Sequence, residues 1–328
     1  WAKKVFPNDA DDAAMEKLWE AIFSAIRVTE GGDAVKAWRA HCAYLEEMAG
    51  RLNALQLKQV RYKNALGTDV VVGLPDEHVW MAGADTAKSG VRFVANMPTE
   101  EIFSAPKRDA VDGVLAASKP LALNGNVIEG IRLTLEHGRI VGIHADTNEE
   151  VLRQAIETDE GAHYLGEIAL VPVDSPIAQS GLLFYNTLFD ENAACHFAFG
   201  QAYPACVPGG DDLPEEELVR RGINVVSTMH VDFMVGTEDL SIIGTTKDGR
   251  EVALTALEFD LLAMLVRRNN VALSREALLA GVWGYAYQGE TRTVDVHIQR
   301  LRGKIGAEYI ETVYKYGYRF CGKEVERR

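Results

Sequence analysis

"STMHVDFMVG", residues 227–236, sets His230 and Asp232 two positions apart among β-branched and apolar neighbours. Successive side chains of a strand leave on opposite faces, so residues i and i+2 share one. An imidazole and a carboxylate therefore stand on the same side of a strand whose other residues ask for burial. Two roles suit such a pair. The side chains satisfy each other, the commoner arrangement for an isolated His-x-Asp, or both hold a metal.

Three other stretches bear on that choice. "NMPTEEIFSAP" (96–106) places Glu100 and Glu101 after a proline and before an apolar segment. "HYLGEIALVP" (163–172) sets Glu167 in front of an apolar strand, and "ENAACHFAFGQAYP" (191–204) sets His196 among small and aromatic residues, with Tyr203 seven positions on. An unpaired charge in any of these surroundings is expensive, and a shared dication neutralises several at once. Two histidines and three carboxylates suit a dinuclear site of zinc, cobalt or manganese, which accept imidazole and carboxylate together.

With 328 residues, 47% hydrophobic and 25% charged, the chain has room for two domains with cores of their own. No apolar run is long enough to span a bilayer and no signal peptide is visible, so a membrane partner is not expected. The opening "WAKKVFPND" has no Met and reads as a fragment or a processed chain. Cys42, Cys195, Cys206 and Cys321 show no CxxC spacing, which points to reduced thiols and the cytoplasm. There is no GxGxxG or Walker-type loop to hold a nucleotide.

The net charge of -14 is divided unevenly. Residues 253–328 carry 12 Lys+Arg against 9 Asp+Glu, which leaves -17 for the preceding 252 residues. An acidic body repels nucleic acid, whereas a basic tail attracts it.

Residues 10–27 and 33–56 have the three- and four-residue apolar spacing of amphipathic helices, with Met15, Leu18, Ala21, Ile22 and Ile26 on the inner face of the first. Residues 58–100 turn β-rich, and "GIRLTLEHGRIVGIHA" reads as a hairpin turning at His137-Gly138. "NEEVLRQAIETDE" and "LPEEELVRRGIN" read as helices. A second hairpin turns at Asp248-Gly249. Beyond it, Thr255 and Glu258 have capping-box spacing, Ser274 caps a second helix, and "TRTVDVHIQRLRGKI" forms a third that Gly306 stops. "YIETVYKYGYRF" closes the chain as a hairpin.

Residues 1–252 resemble the C-terminal, metal-binding part of metallo-aminopeptidases of the aminopeptidase T and aminopeptidase S type. The matching phrases are "WAKKVFP", "NMPTEEIFSAPKRDAVDG", "GEIALVP", "ENAACHFAFGQAYP" and "MHVDFMVGTEDLSIIG". The resemblance implies an α+β or α/β metallopeptidase domain with a mixed sheet. It places two divalent ions, zinc or cobalt first and manganese or magnesium as alternatives, on Glu101, Glu167, His196, His230 and Asp232. It also implies peptides with a free N-terminus as substrates, hydrolysis by activated water, and a homodimer. Tyr203 would donate to the oxyanion, and Glu100, next to a ligand, is the candidate general base. His163 and His144 come next, each more readily read as a satisfied or surface histidine. The family has a further N-terminal α/β domain ahead of "WAKKVFP". Its absence here implies an alternative in which the ligand set is intact, turnover is lost, and DNA binding dominates a chimeric chain.

The tail resembles the winged-helix effector domain of OmpR/PhoB-type response regulators, through "LTALEFDLLAMLVRR", "LSREALLAGVWGY", "RTVDVHIQRLRGKI" and "IETVYKYGYRF". That implies a small winged helix-turn-helix domain bound to duplex DNA. Arg292, Thr293, His297, Arg300, Arg302 and Lys304 would lie on the recognition helix, with Tyr316 and Arg319 in the wing. No receiver domain with a phosphorylatable aspartate accompanies it. The expected division is 1–245 for the peptidase part and 246–328 for the DNA-binding part, with "TKDGREV" readable in either.

Overall fold

The computed structural model describes residues 1–283 and 292–321, without the side chains of residues 252–257, 283 and 308. The chain divides into two compact units, residues 1–240 with 244–250 and residues 241–243 with 251 onward. No helix among the described residues is long and apolar enough to cross a membrane.

The first unit opens with the short helix Ala2–Val5, followed by the helices Asp11–Ala25 and Ala34–Leu55. Asp33 caps the last of these by accepting the Lys36 N–H at 2.9 Å, satisfying one of the donors a helix start leaves open. That helix buries Trp38, His41, Tyr44, Leu45, Met48, Ala49 and Leu52 along one face. In the helix Asp11–Ala25 the buried residues are Ala14, Leu18 and Ala25, while Met15 is half-exposed, so the inner face is rotated from the expected one.

A large sheet follows, in the order Arg139–His144, Arg132–Glu136, Val111–Ala116, Asp69–Gly73 and Leu57–Lys63. The expected hairpin is present: Glu136 pairs with Arg139, and His137 and Gly138 both have positive φ, the two-residue turn that matches strand twist. A second sheet runs His230–Met234, His196–Gly200, Leu165–Leu170, Ile102–Ser104 and Met81–Ala82. The described pairings in both sheets are antiparallel, so the α+β expectation is realised while strand directions do not mix among them.

One face of the second sheet is apolar: Ile168, Phe197, Phe199 and Phe233 are all buried. Tyr62 of the large sheet meets Phe197 edge-on, with ring centroids 5.1 Å apart. Burying each such side chain contributes roughly 2–3 kcal/mol, which fixes which face turns inward. The alternate positions, with Glu167, His196 and Asp232, must then share the other face. Gly200 ends the strand His196–Gly200 opposite His230 at φ 103, where a Cβ would run into the Met229 carbonyl oxygen. Only glycine fits there.

The second unit holds the helices Ala256–Arg267, Arg275–Trp283 and Arg292–Ile305 and a small sheet in the order Leu273–Ser274, Gly317–Phe320, Ile310–Val313. Val294, Ile298 and Leu301, at four- and three-residue spacing, are the buried residues of the third helix. Ser274 Oγ accepts the Ala277 N–H at 3.1 Å, and Gly306 ends the third helix at φ 107. The side chain of Thr255 and residue Gly284, the expected end of the second helix, lie outside the described residues.

Candidate metal centre and nucleic-acid surface

Antiparallel register brings the titratable side chains together. Glu167 lies opposite Ala198, and Ala198 opposite Asp232. His196 is two residues before Ala198, and His230 two before Asp232, so all four share one face. Ala198 leaves room between the two carboxylates because its side chain is a single methyl. Glu101 enters from the residue just before the strand Ile102–Ser104.

The resulting groups are compact. Ligand atoms of Glu101, Glu167 and His196 lie within 4.8 Å of one another, and so do those of Glu167, His230 and Asp232. Glu167 belongs to both. His196 Nε2 is 2.9 Å from Glu101 Oε2 and 3.4 Å from Glu167 Oε1. His230 Nε2 is 3.4 Å from Asp232 Oδ1 and 3.7 Å from Glu167 Oε2. Each imidazole turns Nδ1 to a backbone carbonyl, His196 to Ala194 O at 3.1 Å and His230 to Gln201 O at 2.7 Å. A carbonyl can only accept, so Nδ1 carries the proton, and in the neutral ring the Nε2 lone pair points at the carboxylates.

These residues fit a divalent cation. His196 Nε2 and Glu101 Oε2 are both buried without a hydrogen-bond partner, although they lie 2.9 Å apart. With the ring neutral both atoms are acceptors, and two buried acceptors that converge are what a shared ion satisfies; without the ion, a proton on His196 takes that place.

The electrostatics agree. Burial, then the neighbouring Glu101, pushes Glu167 up to about 7. Burial opposes protonation of His230, but Asp232 and then Glu167 overcome it and raise the ring to about 9. Burial likewise opposes protonation of His196, and Glu101 and Glu167 carry it well above its ordinary value. Asp232 is shifted up by burial and, more strongly in sum, down by His230 and its other neighbours, ending below its ordinary value. Without an ion the cluster therefore stores protons.

That proton load has a direction in pH. The raised His230 contributes stability that is complete below its ordinary value near 6.5 and lost as pH rises through about 9. Ionising the raised Glu167 also costs stability, between its ordinary range and about 7. Both signs are the same. Chelator-treated protein is expected to melt several degrees lower at pH 9 than at pH 6, and added zinc to remove most of the difference; thermal melts by circular dichroism check this.

Tyr203 is half-exposed, its ring 5.2 Å from that of His230 and 5.7 Å from that of Phe103. Burial, then the carboxylates Glu167 and Asp232, keeps its hydroxyl protonated well above the usual range. Glu100 is placed differently. Its carboxylate is held by Arg27, with Nη2 to Oε2 at 2.6 Å, and His41 Nε2 stands 3.7 Å away. His144 is exposed and pairs with Glu149 at 3.0 Å, and His163 sits in the turn Gly161–His163; neither belongs to the two metal-competent groups.

Sequence reasoning missed Glu191. Burial, then Asp232 and Glu101, pushes it up to about 9, and it hydrogen-bonds Asp232. It lies on the 3-10 turn Glu191–Ala193, outside any strand period, so no spacing links it to His196.

In the second unit Arg292, Val296, Gln299 and Arg300 are exposed on one side of the third helix. Tyr314 and Tyr316 are exposed at the tip of the hairpin. Thr293 and His297 are half-buried, with His297 Nδ1 2.9 Å from Thr293 O. The other expected contacts are engaged inside the unit. Arg302 donates to Ile310 O at 2.7 and 3.0 Å and to Thr312 Oγ1 at 2.8 Å, tying the helix to the hairpin. Lys304 pairs with the buried Glu258, and Arg319 with Glu311.

Comparison with known proteins also finds two parts, which overlap at residues 249–256. Residues 1–256 match the family model for thermophilic metalloprotease (M29), and residues 249–320 match that for transcriptional regulatory protein, C terminal. The chain is 50% identical over 250 residues to Aminopeptidase AmpS of Bacillus subtilis, covering 76% of this chain and 60% of that protein. The solved structure of wild-type AmpT from Thermus thermophilus superposes with a TM-score of 0.70 at 46% identity, covering 77% of this chain and 60% of that one. The tail is 44% identical over 88 residues to Transcriptional regulatory protein CseB of Streptomyces coelicolor, 27% of this chain and 36% of that protein. The chain thus spans about 60% of the length of the aminopeptidases it matches.

Proposed function

Since the chain belongs to the thermophilic metalloprotease (M29) family, we propose that its first unit is a metal-dependent aminopeptidase acting on peptides with a free N-terminus, fused to a module that binds duplex DNA. The observation that carries the reading is the pair of metal-competent groups sharing Glu167, the first of which brings two buried acceptor atoms, His196 Nε2 and Glu101 Oε2, to 2.9 Å.

Glu101, Glu167 and His196 would hold one divalent ion and Glu167, His230 and Asp232 a second, zinc or cobalt by the mixture of imidazole and carboxylate donors. Bound ions supply Lewis acidity and lower the pKa of water. The protein does the rest. Both histidines are fixed by their Nδ1 hydrogen bonds, so their Nε2 atoms need no reorientation on binding. Tyr203, kept protonated beside His230, can donate to the oxyanion of a carbonyl under attack. Glu191 adds a further carboxyl to the cluster. Glu100 faces Arg27 and is better assigned to support than to proton transfer.

The test is metal analysis of the purified chain together with an assay on leucine- and alanine-anilide reporters. Bound zinc or cobalt with chelator-sensitive release of the N-terminal residue is the expected result. Absence of stoichiometric metal, or release that a chelator leaves untouched, rejects the reading. A second reading, DNA binding with a silent peptidase part, rests on the match of residues 249–320 to the transcriptional regulatory protein, C terminal model. It predicts bound metal and retained duplex DNA without turnover.

A further inference from the structure

Glu101 differs from the other four expected ligands in how it is held. Glu167, His196, His230 and Asp232 stand on three strands that pair with one another. Glu101 lies one residue outside the strand Ile102–Ser104, so strand pairing does not fix its backbone. Side-chain contacts do so instead.

Its neighbour Glu100 is 1% exposed and gripped by Arg27 at both oxygens. Arg27 follows the helix Asp11–Ala25 in a left-handed conformation, φ 58, which aims its guanidinium past the ring of Trp38, 5.5 Å away. His41 Nε2 lies 2.7 Å from Thr99 O. The Glu100 N–H donates to Asn192 Oδ1 at 2.6 Å, and Asn192, fully buried, is itself held by Ser175 Oγ donating to its carbonyl at 2.7 Å. The backbone before Glu101 is therefore fastened on one side to the helices and on the other to the turn that carries Glu191.

A buried ion pair is a weak source of stability, because desolvating both charges offsets their attraction. What a bidentate arginine–carboxylate pair supplies is a fixed direction. We propose that Arg27 is a positioning residue for the metal centre: by clamping Glu100 it sets Glu101 opposite His196 and Glu167. The proposal rests on the metal reading above.

The test titrates metal-free full chain with cobalt(II) and follows its visible d–d bands beside the thermal melt of the metal-free protein. Arg27→Met with Glu100→Gln, which removes both charges together, is expected to lower cobalt affinity roughly 10- to 100-fold, as outer-shell changes do, and to alter the band shape while the metal-free melt stays near that of the unsubstituted chain. Arg27→Lys keeps the charge without the fork and is expected to recover part of the affinity. Arg27→Met alone leaves Glu100 buried without its arginine, and is expected to lower the metal-free melt as well as the cobalt affinity. A folded variant with unchanged affinity and spectrum overturns the proposal. So does a loss of affinity that follows loss of the metal-free fold in every variant and is not relieved by lysine. Unsubstituted chain that takes up no cobalt rejects the metal reading itself, and this proposal with it.

Discussion

Replacing Glu167 with alanine is expected to remove metal-dependent turnover and to cost more than any other single change in the cluster. Glu167 belongs to both metal-competent groups, whereas Glu101, His196, His230 and Asp232 each belong to one. On the proposed two-ion reading its loss would remove a ligand from both ions at once, and it alters the charge balance of both histidines. The fall in activity on an alanine-anilide reporter should go well beyond the roughly 10- to 100-fold that outer-shell substitutions cost. The fold should survive. Glu167 is charged only against burial, so removing it relieves a desolvation penalty in the metal-free chain. Wild-type-like turnover of folded Glu167→Ala would refute the assignment, and an equal loss in Glu101→Ala would refute its shared role.

Raising salt is expected to weaken duplex DNA binding by about two orders of magnitude between 50 and 200 mM, if about four phosphate contacts are made. Arg292 and Arg300 are exposed cations of the third helix, on which Lys304 is taken up by Glu258, and the hairpin tip adds Lys315. Arg300→Ala should reduce binding roughly 10- to 100-fold and flatten the salt slope by about one if it contacts a phosphate. Arg302→Ala should behave differently. Its guanidinium is spent on Ile310 and Thr312, so its loss should lower the melting temperature of the second unit as well as its affinity. Fluorescence anisotropy across a salt series, beside thermal melts, separates the two. Salt-independent retention would exclude a groove-bound helix.

Much of the fold was legible because period and punctuation agree with each other. The turn at His137-Gly138, the Ser274 cap and the stop at Gly306 follow from local chemistry that tertiary contacts do not override. Met15 was misplaced because three- and four-residue spacing admits two adjacent helix faces, and packing chose the one through Ala14. At the site, His230 and Asp232 were readable from strand period, and their partners from the cost of isolated charges in apolar text. Glu191, Asn192 and Arg27 were not. They act from a 3-10 turn and a left-handed helix exit, where no repeat marks a residue as facing anything. Glu100 was readable as important but not as to role, since adjacency to Glu101 says nothing about which side its carboxylate takes.

The passage between the two units has a practical side. The chain leaves the first unit at residue 241, returns at 244 and departs again at 251. Residues 249–256 are matched by both family models. No single cut can therefore release both parts whole. A dissection that stops the enzyme part before 249 shortens it, and one that starts the regulator part after 256 shortens that. To be studied alone, each half must keep the same eight residues, and that shared stretch is the part of the chain where one substitution is answerable to two folds.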